Sequence, residues 1–185
     1  MSKRTVIFLS GYLVPNWLAK SPLVWNQARW QDYRTIFIKS PVPTSDAMVQ
    51  AHLNQLAYLT SLFPNVAVVG QSLGAWWAAN LACEPAAQMK RVAFWTPLVD
   101  ANAYPIFKVS RNHHPLNKKP NPSIVGPGSS LVLYGDKDFV VPQWTHAQNL
   151  VSHFQALTYK LDGGHWFQAN HNRGIDYLLD WIVAV

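Results

Sequence analysis

The sequence is poor in cysteine, in charged residues and in long apolar runs. Its single cysteine, Cys83, excludes an intramolecular disulfide and is typical of a reducing compartment. Only 13% of its 185 residues are charged whereas 49% are hydrophobic, which indicates a compact core rather than a disordered chain. No run approaches the ~20 apolar residues of a membrane span, and the apolar stretch 5–9 is too short for a signal peptide. We therefore expect a soluble cytoplasmic protein.

Acidic residues are scarcer than basic ones, which gives a formal net charge of +6. No aspartate or glutamate occurs between Asp100 and Asp136, where the basic residues are Lys108, Arg111, Lys118 and Lys119. The chain has no basic stripe interleaved with aromatic residues, so its charge does not favour nucleic-acid binding. The basic segment could instead bind an acidic partner.

Short β-branched runs alternate with segments of helical periodicity. The strand predictions are 5–9, 34–38, 66–69, 91–95, 130–134 and 157–161, and the helix predictions are 45–63, 73–83, 143–154 and 170–183. This alternation predicts an α/β fold in one domain spanning residues 1–185, with an open, mostly parallel sheet of about six strands and helices on both faces. The segment 97–127 breaks the pattern with six of the thirteen prolines. We interpret it either as an excursion over the carboxyl edge of the sheet or as a solvated loop.

One serine lies at a point that favours catalysis. The stretch VAVVGQSLGAWW carries an apolar strand into Gly70-Gln71-Ser72-Leu73-Gly74 and then into a predicted helix. A Gly-x-Ser-x-Gly turn between strand and helix is the nucleophile elbow, which projects the hydroxyl above the sheet. The backbone N–H of Leu73 would begin the helix beside it, where the positive end of the helix dipole favours an oxyanion.

A serine nucleophile needs a histidine base and a carboxylate, which in hydrolases of this turn type follow in the order Ser, acid, His. The chain supplies Gly135-Asp136-Lys137-Asp138 after one predicted strand and Gly163-Gly164-His165 after the last. All three features follow strands and so are predicted at the same sheet edge. No zinc-type spacing, phosphate loop or dinucleotide fingerprint is present, so we predict no metal and no cofactor.

These motifs resemble the α/β-hydrolases, and in size and layout the chain is similar to the small cap-less serine hydrolase family that includes the retinoblastoma-binding protein. The similarity spans nearly the whole chain and includes the segments 40–43, 70–74, 135–142 and 164–165. It implies that the first two strands of larger hydrolases and a separate cap domain are absent. It also assigns the acid to Asp138, with Asp136 as the close rival and Asp100 as a more distant one.

The second oxyanion donor is expected in the loop after the first strand. Its position points to the backbone N–H of Tyr12, with Leu13 as the alternative. Ser10 replaces the histidine of the common His-Gly pair before that donor. Four tryptophans near these positions could line an acyl pocket: Trp17, Trp76, Trp77 and Trp166. For Trp76 and Trp77, packing in the core is favoured.

The sequence thus predicts a serine hydrolase that cleaves a small ester or thioester through Ser72, Asp138 and His165. Two alternatives stay open. One is an amidase or acyltransferase with the same triad, and the other is a non-catalytic protein-binding module on a hydrolase fold.

Overall fold

The computed structural model describes residues 4–11, 33–101, 104, 106–141, 143–165 and 171–184. Within these residues six strands form one sheet in the order β2-β1-β3-β4-β5-β6, and every neighbouring pair is parallel. The strands are β1 (Arg4–Leu9), β2 (Tyr33–Ile38), β3 (Val66–Gln71), β4 (Met89–Trp95), β5 (Ser130–Gly135) and β6 (Leu157–Leu161). The six predicted strands are confirmed, with each end within two residues of its expected position.

The described residues also contain four α-helices, each where helical periodicity predicts one. They are α1 (Asp46–Ser61), α2 (Leu73–Leu81), α3 (Gln143–Phe154) and α4 (His171–Val183). The hydroxyl of Ser45 caps α1 by accepting a hydrogen bond from the Met48 N–H at 3.3 Å, which fixes where that helix begins.

The helices cover both faces of the sheet, as the sequence predicts. Side chains of α1, α2 and α3 pack on one face against alternate strand residues such as Val68, Phe94 and Val132. Helix α4 packs on the other face, against residues such as Val69 and Trp95. Since side chains of a strand alternate between faces, each central strand is apolar on both sides. The arrangement is an open, parallel α/β sheet.

The proline-rich segment is packed onto the sheet and is not solvated throughout. The described residues of the segment include three short 3-10 helices at Arg111–His113, Pro115–Asn117 and Pro122–Ile124. Buried side chains of the segment, including Leu98 and Val99, join the hydrophobic core. Its described residues also reach the end of α2, where the Asn121 N–H donates to the Ala82 carbonyl at 2.9 Å.

No helix in the described part of the chain combines the length and the hydropathy that crossing a bilayer requires.

Candidate active site

Ser72 occupies a strained turn between β3 and α2. Its backbone has φ 52° and ψ −116°, a conformation that residues other than glycine rarely adopt. Two hydrogen bonds hold it there: the Ser72 N–H donates to the Trp95 carbonyl at 2.9 Å, and the Ser72 carbonyl accepts from the Leu98 N–H at 3.2 Å. The serine side chain makes no capping hydrogen bond to its own helix and is partly exposed. The turn thus presents a hydroxyl at the carboxyl edge of the sheet.

The two glycines that flank the serine allow strand and helix to approach closely. A Cβ at Gly70 would overlap with the carbonyl oxygen of Gly74, and a Cβ at Gly74 would overlap with the carbonyl oxygen of Leu9 in the neighbouring strand. Both obstacles are backbone atoms, which cannot rotate away. The Gly-x-Ser-x-Gly pattern therefore has a steric cause here, because any larger residue would push α2 off the sheet.

Of the predicted oxyanion donors, the structure describes Leu73 but not Tyr12 or Leu13. Leu73 is the first residue of α2, so its N–H belongs to the group at a helix start that has no intrahelical acceptor. Tyr12 and Leu13 lie outside the described residues. Ser10, which departs from the common His-Gly pair, is buried, and its hydroxyl accepts a hydrogen bond from the Ser40 N–H at 3.3 Å. The hydroxyl joins the loops that follow β1 and β2.

Asp138 and His165 form a buried hydrogen-bonded pair at the same edge. The Nδ1 atom of His165 lies 2.6 Å from Oδ2 of Asp138, and the two residues are 5% and 9% exposed. The second carboxylate oxygen of Asp138 accepts hydrogen bonds from the N–H groups of Val140 at 2.9 Å and Val141 at 3.1 Å. These three contacts fix the plane of the carboxylate. In that arrangement the carboxylate can hold the imidazole ring in one orientation with the proton on Nδ1.

Asp136, the close rival for the acid, has a different position. Its Oδ1 accepts a hydrogen bond from the Gly163 N–H at 3.1 Å, and its Oδ2 lies 3.5 Å from Nζ of Lys160. The Gly163 hydrogen bond is the main reason that the pKa of Asp136 is below its usual value. The Asp136 N–H also donates to the carbonyl of Leu161 at 3.0 Å. Asp136 therefore joins the loop after β5 to the loop after β6, and this junction places Asp138 beside His165.

The more distant candidate, Asp100, lies near a different histidine. Its Oδ1 is 4.0 Å from Nε2 of His114. The position of His113 and His114 in the proline-rich segment predicts either a solvated pair, which the sequence favours, or a contact with substrate. The structure differs from the solvated pair, because His113 is buried and lies 3.7 Å from Asp46. The Ser110 N–H donates to Oδ1 of Asp46 at 2.8 Å, which attaches this part of the segment to the start of α1. Burial lowers the pKa of His113 below its ordinary value.

Three further histidines, His52, His146 and His153, fall in helical patterns of the sequence, which predicts ordinary surface or partly buried residues, and all three are partly buried. His52 packs edge-on against Trp77, and His153 lies at the far end of α3. His146 accepts a hydrogen bond from the Val99 N–H through Nδ1 at 3.1 Å, which attaches the proline-rich segment to α3. Burial lowers the pKa of all three rings. The side chain of His171 lies outside the description.

Trp76 and Trp77 are core residues, as favoured from the sequence. They are 1% and 0% exposed and pack edge-to-face with ring centroids 4.9 Å apart. Trp77 also donates from its indole N–H to the Pro41 carbonyl at 3.0 Å. Neither lines an exposed pocket. Trp17 and Trp166 lie outside the described residues.

Two features near the site were not predicted from the sequence. Thr96, one residue beyond β4, is fully buried at φ 42°, and no described residue forms a hydrogen bond with its hydroxyl. Three exposed apolar residues also lie on the loops beside Asp138: Ile106, Phe139 and Val140, of which Phe139 is 93% exposed. The hydroxyl of Tyr104 contacts the Val140 carbonyl at 3.4 Å and so connects the two loops. We call Ile106, Phe139 and Val140 the apolar rim. The sequence signal for the rim was the apolar pair Phe139-Val140 directly after the candidate acid Asp138.

Among the described residues no group of three or more histidine, cysteine, aspartate or glutamate side chains is arranged to hold a metal ion.

A parallel sheet with the order β2-β1-β3-β4-β5-β6, a strained serine after its third strand and an Asp–His pair after its last two strands define the α/β-hydrolase fold. No protein-family model matches the sequence, and no curated protein matches it either.

Solved structures resemble the whole chain. An α/β hydrolase enzyme, MGS-MChE2, from a lagoon-sediment metagenome is 16% identical, with 96% of this chain and 89% of that one covered and a TM-score of 0.71. The esterase domain of a Rhodothermus marinus protein is 15% identical over 96% and 85% of the two chains, with a TM-score of 0.70. The ydeN gene product of B. subtilis is 15% identical over 96% and 98%, with a TM-score of 0.63. At these identities the likeness establishes the fold.

Proposed function

We propose that the protein is a serine hydrolase that cleaves a small ester or thioester through Ser72, His165 and Asp138. The observation that carries the proposal is the buried 2.6 Å contact between His165 and Asp138, at the sheet edge where Ser72 sits in its strained turn. A protein that only binds a partner needs neither the strain nor the buried pair, since each costs stability. The hydrolases and esterases among the similar structures support the same class.

In the proposed reaction Ser72 attacks the carbonyl carbon of the substrate while His165 accepts the serine proton. Asp138 keeps the other ring nitrogen protonated and stabilises the imidazolium that forms. His165 then returns the proton to the leaving alcohol or thiol. Water, deprotonated by the same ring, hydrolyses the acyl-serine and releases the acid.

The negative oxygen of the tetrahedral intermediate needs donors that are already in place. We assign these to the backbone N–H groups of Leu73 and Tyr12. Leu73 is the first residue of α2, so its N–H and the helix dipole both favour negative charge at this point. Main-chain donors do not depend on side-chain identity, which is compatible with Ser10 in place of the common histidine.

The apolar rim favours an apolar acyl or alcohol group in the substrate. Ile106, Phe139 and Val140 are 48%, 93% and 59% exposed. Phe139 and Val140 directly follow the buried acid, and Ile106 is two positions from Tyr104, whose hydroxyl contacts the Val140 carbonyl. Covering such side chains with an apolar group is favourable by about 25 cal/mol per Å². We therefore expect longer acyl chains to lower KM.

The test is hydrolysis of p-nitrophenyl acetate and butyrate by wild type, Ser72→Ala and His165→Ala, with His153→Gln as the control histidine. Each active-site variant should lose activity by about 10⁴-fold or more, whereas the control should keep it. His153 is a matched control because it is a half-buried histidine at the far end of α3.

Wild-type turnover in His165→Ala would contradict the assignment. Hydrolysis of matched anilides or acyl transfer to an added alcohol would favour the amidase or acyltransferase alternative. The binding-module alternative stays a prediction; within the basic segment Lys118 is already paired with Glu84 at 3.0 Å, while Lys108, Arg111 and Lys119 are exposed.

A further inference from the structure

A cavity opens at the edge of the sheet opposite to the candidate active site, where the strands begin. Its volume is about 430 Å³, within the usual range for small-ligand pockets. The first residues of β1, β3 and β4 form its walls together with the turn before β5. The polar residues relevant here are Arg4, Thr5, Lys90, Arg91, Ser123 and Ser129. Because the candidate triad follows the carboxyl ends of the strands, this cavity is separate from it.

The described lining of the cavity is basic. It includes two arginines and a lysine but no aspartate or glutamate. Arg4 is held by the end of α4, where its Nη1 donates to the carbonyl of Val183 at 2.9 Å. This contact anchors the guanidinium at the cavity while satisfying a helix carbonyl. The lining therefore presents fixed positive charge to whatever enters.

Arg91 is the most unusual residue of the lining. It is only 6% exposed, and its Nη1 atom has no hydrogen-bond partner among the described residues. Its guanidinium carbon lies 4.7 Å from the ring centroid of Trp181, so a cation–π contact offsets part of the cost of burial. Burial and then the nearby charge of Arg4 lower the pKa of Arg91. A buried cation without an anionic partner is costly, and an incoming anion would remove that cost.

A hydroxyl group adds a second unsatisfied donor. Thr5 is 1% exposed, and within the part of the chain that the structure describes its Oγ1 has no hydrogen-bond partner. Ser129 also lines the cavity and supplies a further hydroxyl group, whereas the Ser123 hydroxyl already donates to Oδ1 of Asn121 at 2.9 Å. Guanidinium and hydroxyl donors around one cavity suit a ligand with several acceptor oxygens and more than one negative charge.

We propose that this cavity binds a phosphate group, either as the free ion or as the phosphate of a small monoester. The Arg91 guanidinium would donate to two phosphate oxygens, with Arg4 and Lys90 adding charge and Thr5 a hydroxyl donor. The volume leaves room for a small organic group beyond the phosphate.

The test is titration of the wild-type protein with inorganic phosphate and with glycerol phosphate at constant ionic strength, followed by calorimetry and by amide NMR. Backbone signals of the cavity should shift, including those of Asn65, Lys90 and Ser129. Arg91→Gln should weaken binding by about tenfold or more, because a charge-assisted contact is lost. Arg111→Gln removes an exposed cation at the other edge of the sheet and should bind as wild type does.

Tighter binding of the monoester would identify an organic phosphate as the ligand, and equal affinity would identify the free ion. The proposal is overturned if neither compound shifts the cavity signals of the wild-type protein at millimolar concentration. It is also overturned if both arginine variants weaken binding equally, since that result indicates nonspecific attraction to net charge. The NMR readout needs no variant, so a folding defect in Arg91→Gln cannot hide a negative result.

Discussion

Replacing Asp138 with asparagine should disable the site while leaving the local backbone nearly unchanged. Oδ1 of the aspartate accepts hydrogen bonds from the N–H groups of Val140 and Val141 at 2.9 and 3.1 Å. An asparagine oxygen can retain both bonds only by occupying that same position. Its amide nitrogen then faces Nδ1 of His165, where the aspartate now places Oδ2 at 2.6 Å.

The magnitude follows from the proton on the ring. An amide nitrogen only donates, so it selects the His165 tautomer with a bare Nδ1 and a protonated Nε2. That Nε2 cannot accept the proton of Ser72. The expected loss in kcat is about 10³–10⁴-fold, or about 4–5 kcal/mol in the barrier. Stability should fall by only about 1–2 kcal/mol, because the backbone hydrogen bonds persist without their charge.

The assay is kcat and KM for p-nitrophenyl acetate, with urea unfolding as the measure of stability. Asp136→Asn is the matched control, since Asp136 contacts Gly163 and Lys160 and not the ring. An asparagine Oδ1 can still accept the hydrogen bond from the Gly163 N–H, so the junction between the two loops should persist and the variant should keep most of its activity. The reasoning is refuted if Asp138→Asn keeps more than about a tenth of wild-type kcat, or if Asp136→Asn loses more activity than Asp138→Asn.

Three further predictions concern the surroundings of the site. Gly74→Ala should destabilise the protein by about 1–3 kcal/mol in urea unfolding, since its Cβ would overlap with the Leu9 carbonyl. Burial raises the pKa of Cys83 to about 12, so its thiol should react with a disulfide reagent at neutral pH about a hundredfold more slowly in the native than in the denatured protein. Burial lowers the pKa of His146, whose Nδ1 accepts from the Val99 N–H. The stability that this neutral ring contributes is therefore present above the unfolded pKa of about 6.5 and is lost as pH falls through the lower folded pKa. In urea unfolding, the free energy of unfolding of His146→Gln should therefore depend less on pH than that of the wild type.

Each of these three predictions has a control variant or an outcome that would contradict it. Gly128→Ala should be nearly neutral, because a Cβ there meets no atom within 4 Å; equal losses in the two glycine variants would contradict the steric argument. Rapid modification of native Cys83 would show that the thiol is more accessible than its burial indicates. An unchanged pH slope in His146→Gln would assign the acid sensitivity to other histidines.

The strands and helices could be predicted because their signals are local. Apolar β-branched runs such as Val66–Val69 need no partner to be recognised, and Ser45 marks the start of α1 by its own capping hydroxyl. The glycines around Ser72 were equally readable, since a strand followed by Gly-x-Ser-x-Gly and a helix leaves few alternatives.

The remaining features depend on contacts between distant parts of the chain. The pairing of Asp138 with His165 requires the junction that Asp136 makes with Gly163, 27 positions away. The buried orientation of His113 depends on how the proline-rich segment packs, which local periodicity does not encode. The basic cavity arises only when Arg4 and Arg91 meet at the strand starts. The assignment of the catalytic residues stays a prediction.

The most direct measurement is labelling with a fluorophosphonate, which reacts with an activated serine hydroxyl, followed by peptide mass analysis. The account predicts one adduct per chain, located on Ser72, absent in Ser72→Ala and strongly reduced in His165→Ala. Failure of the folded wild type to label where a known serine hydrolase labels, or an adduct that persists in Ser72→Ala, would contradict it.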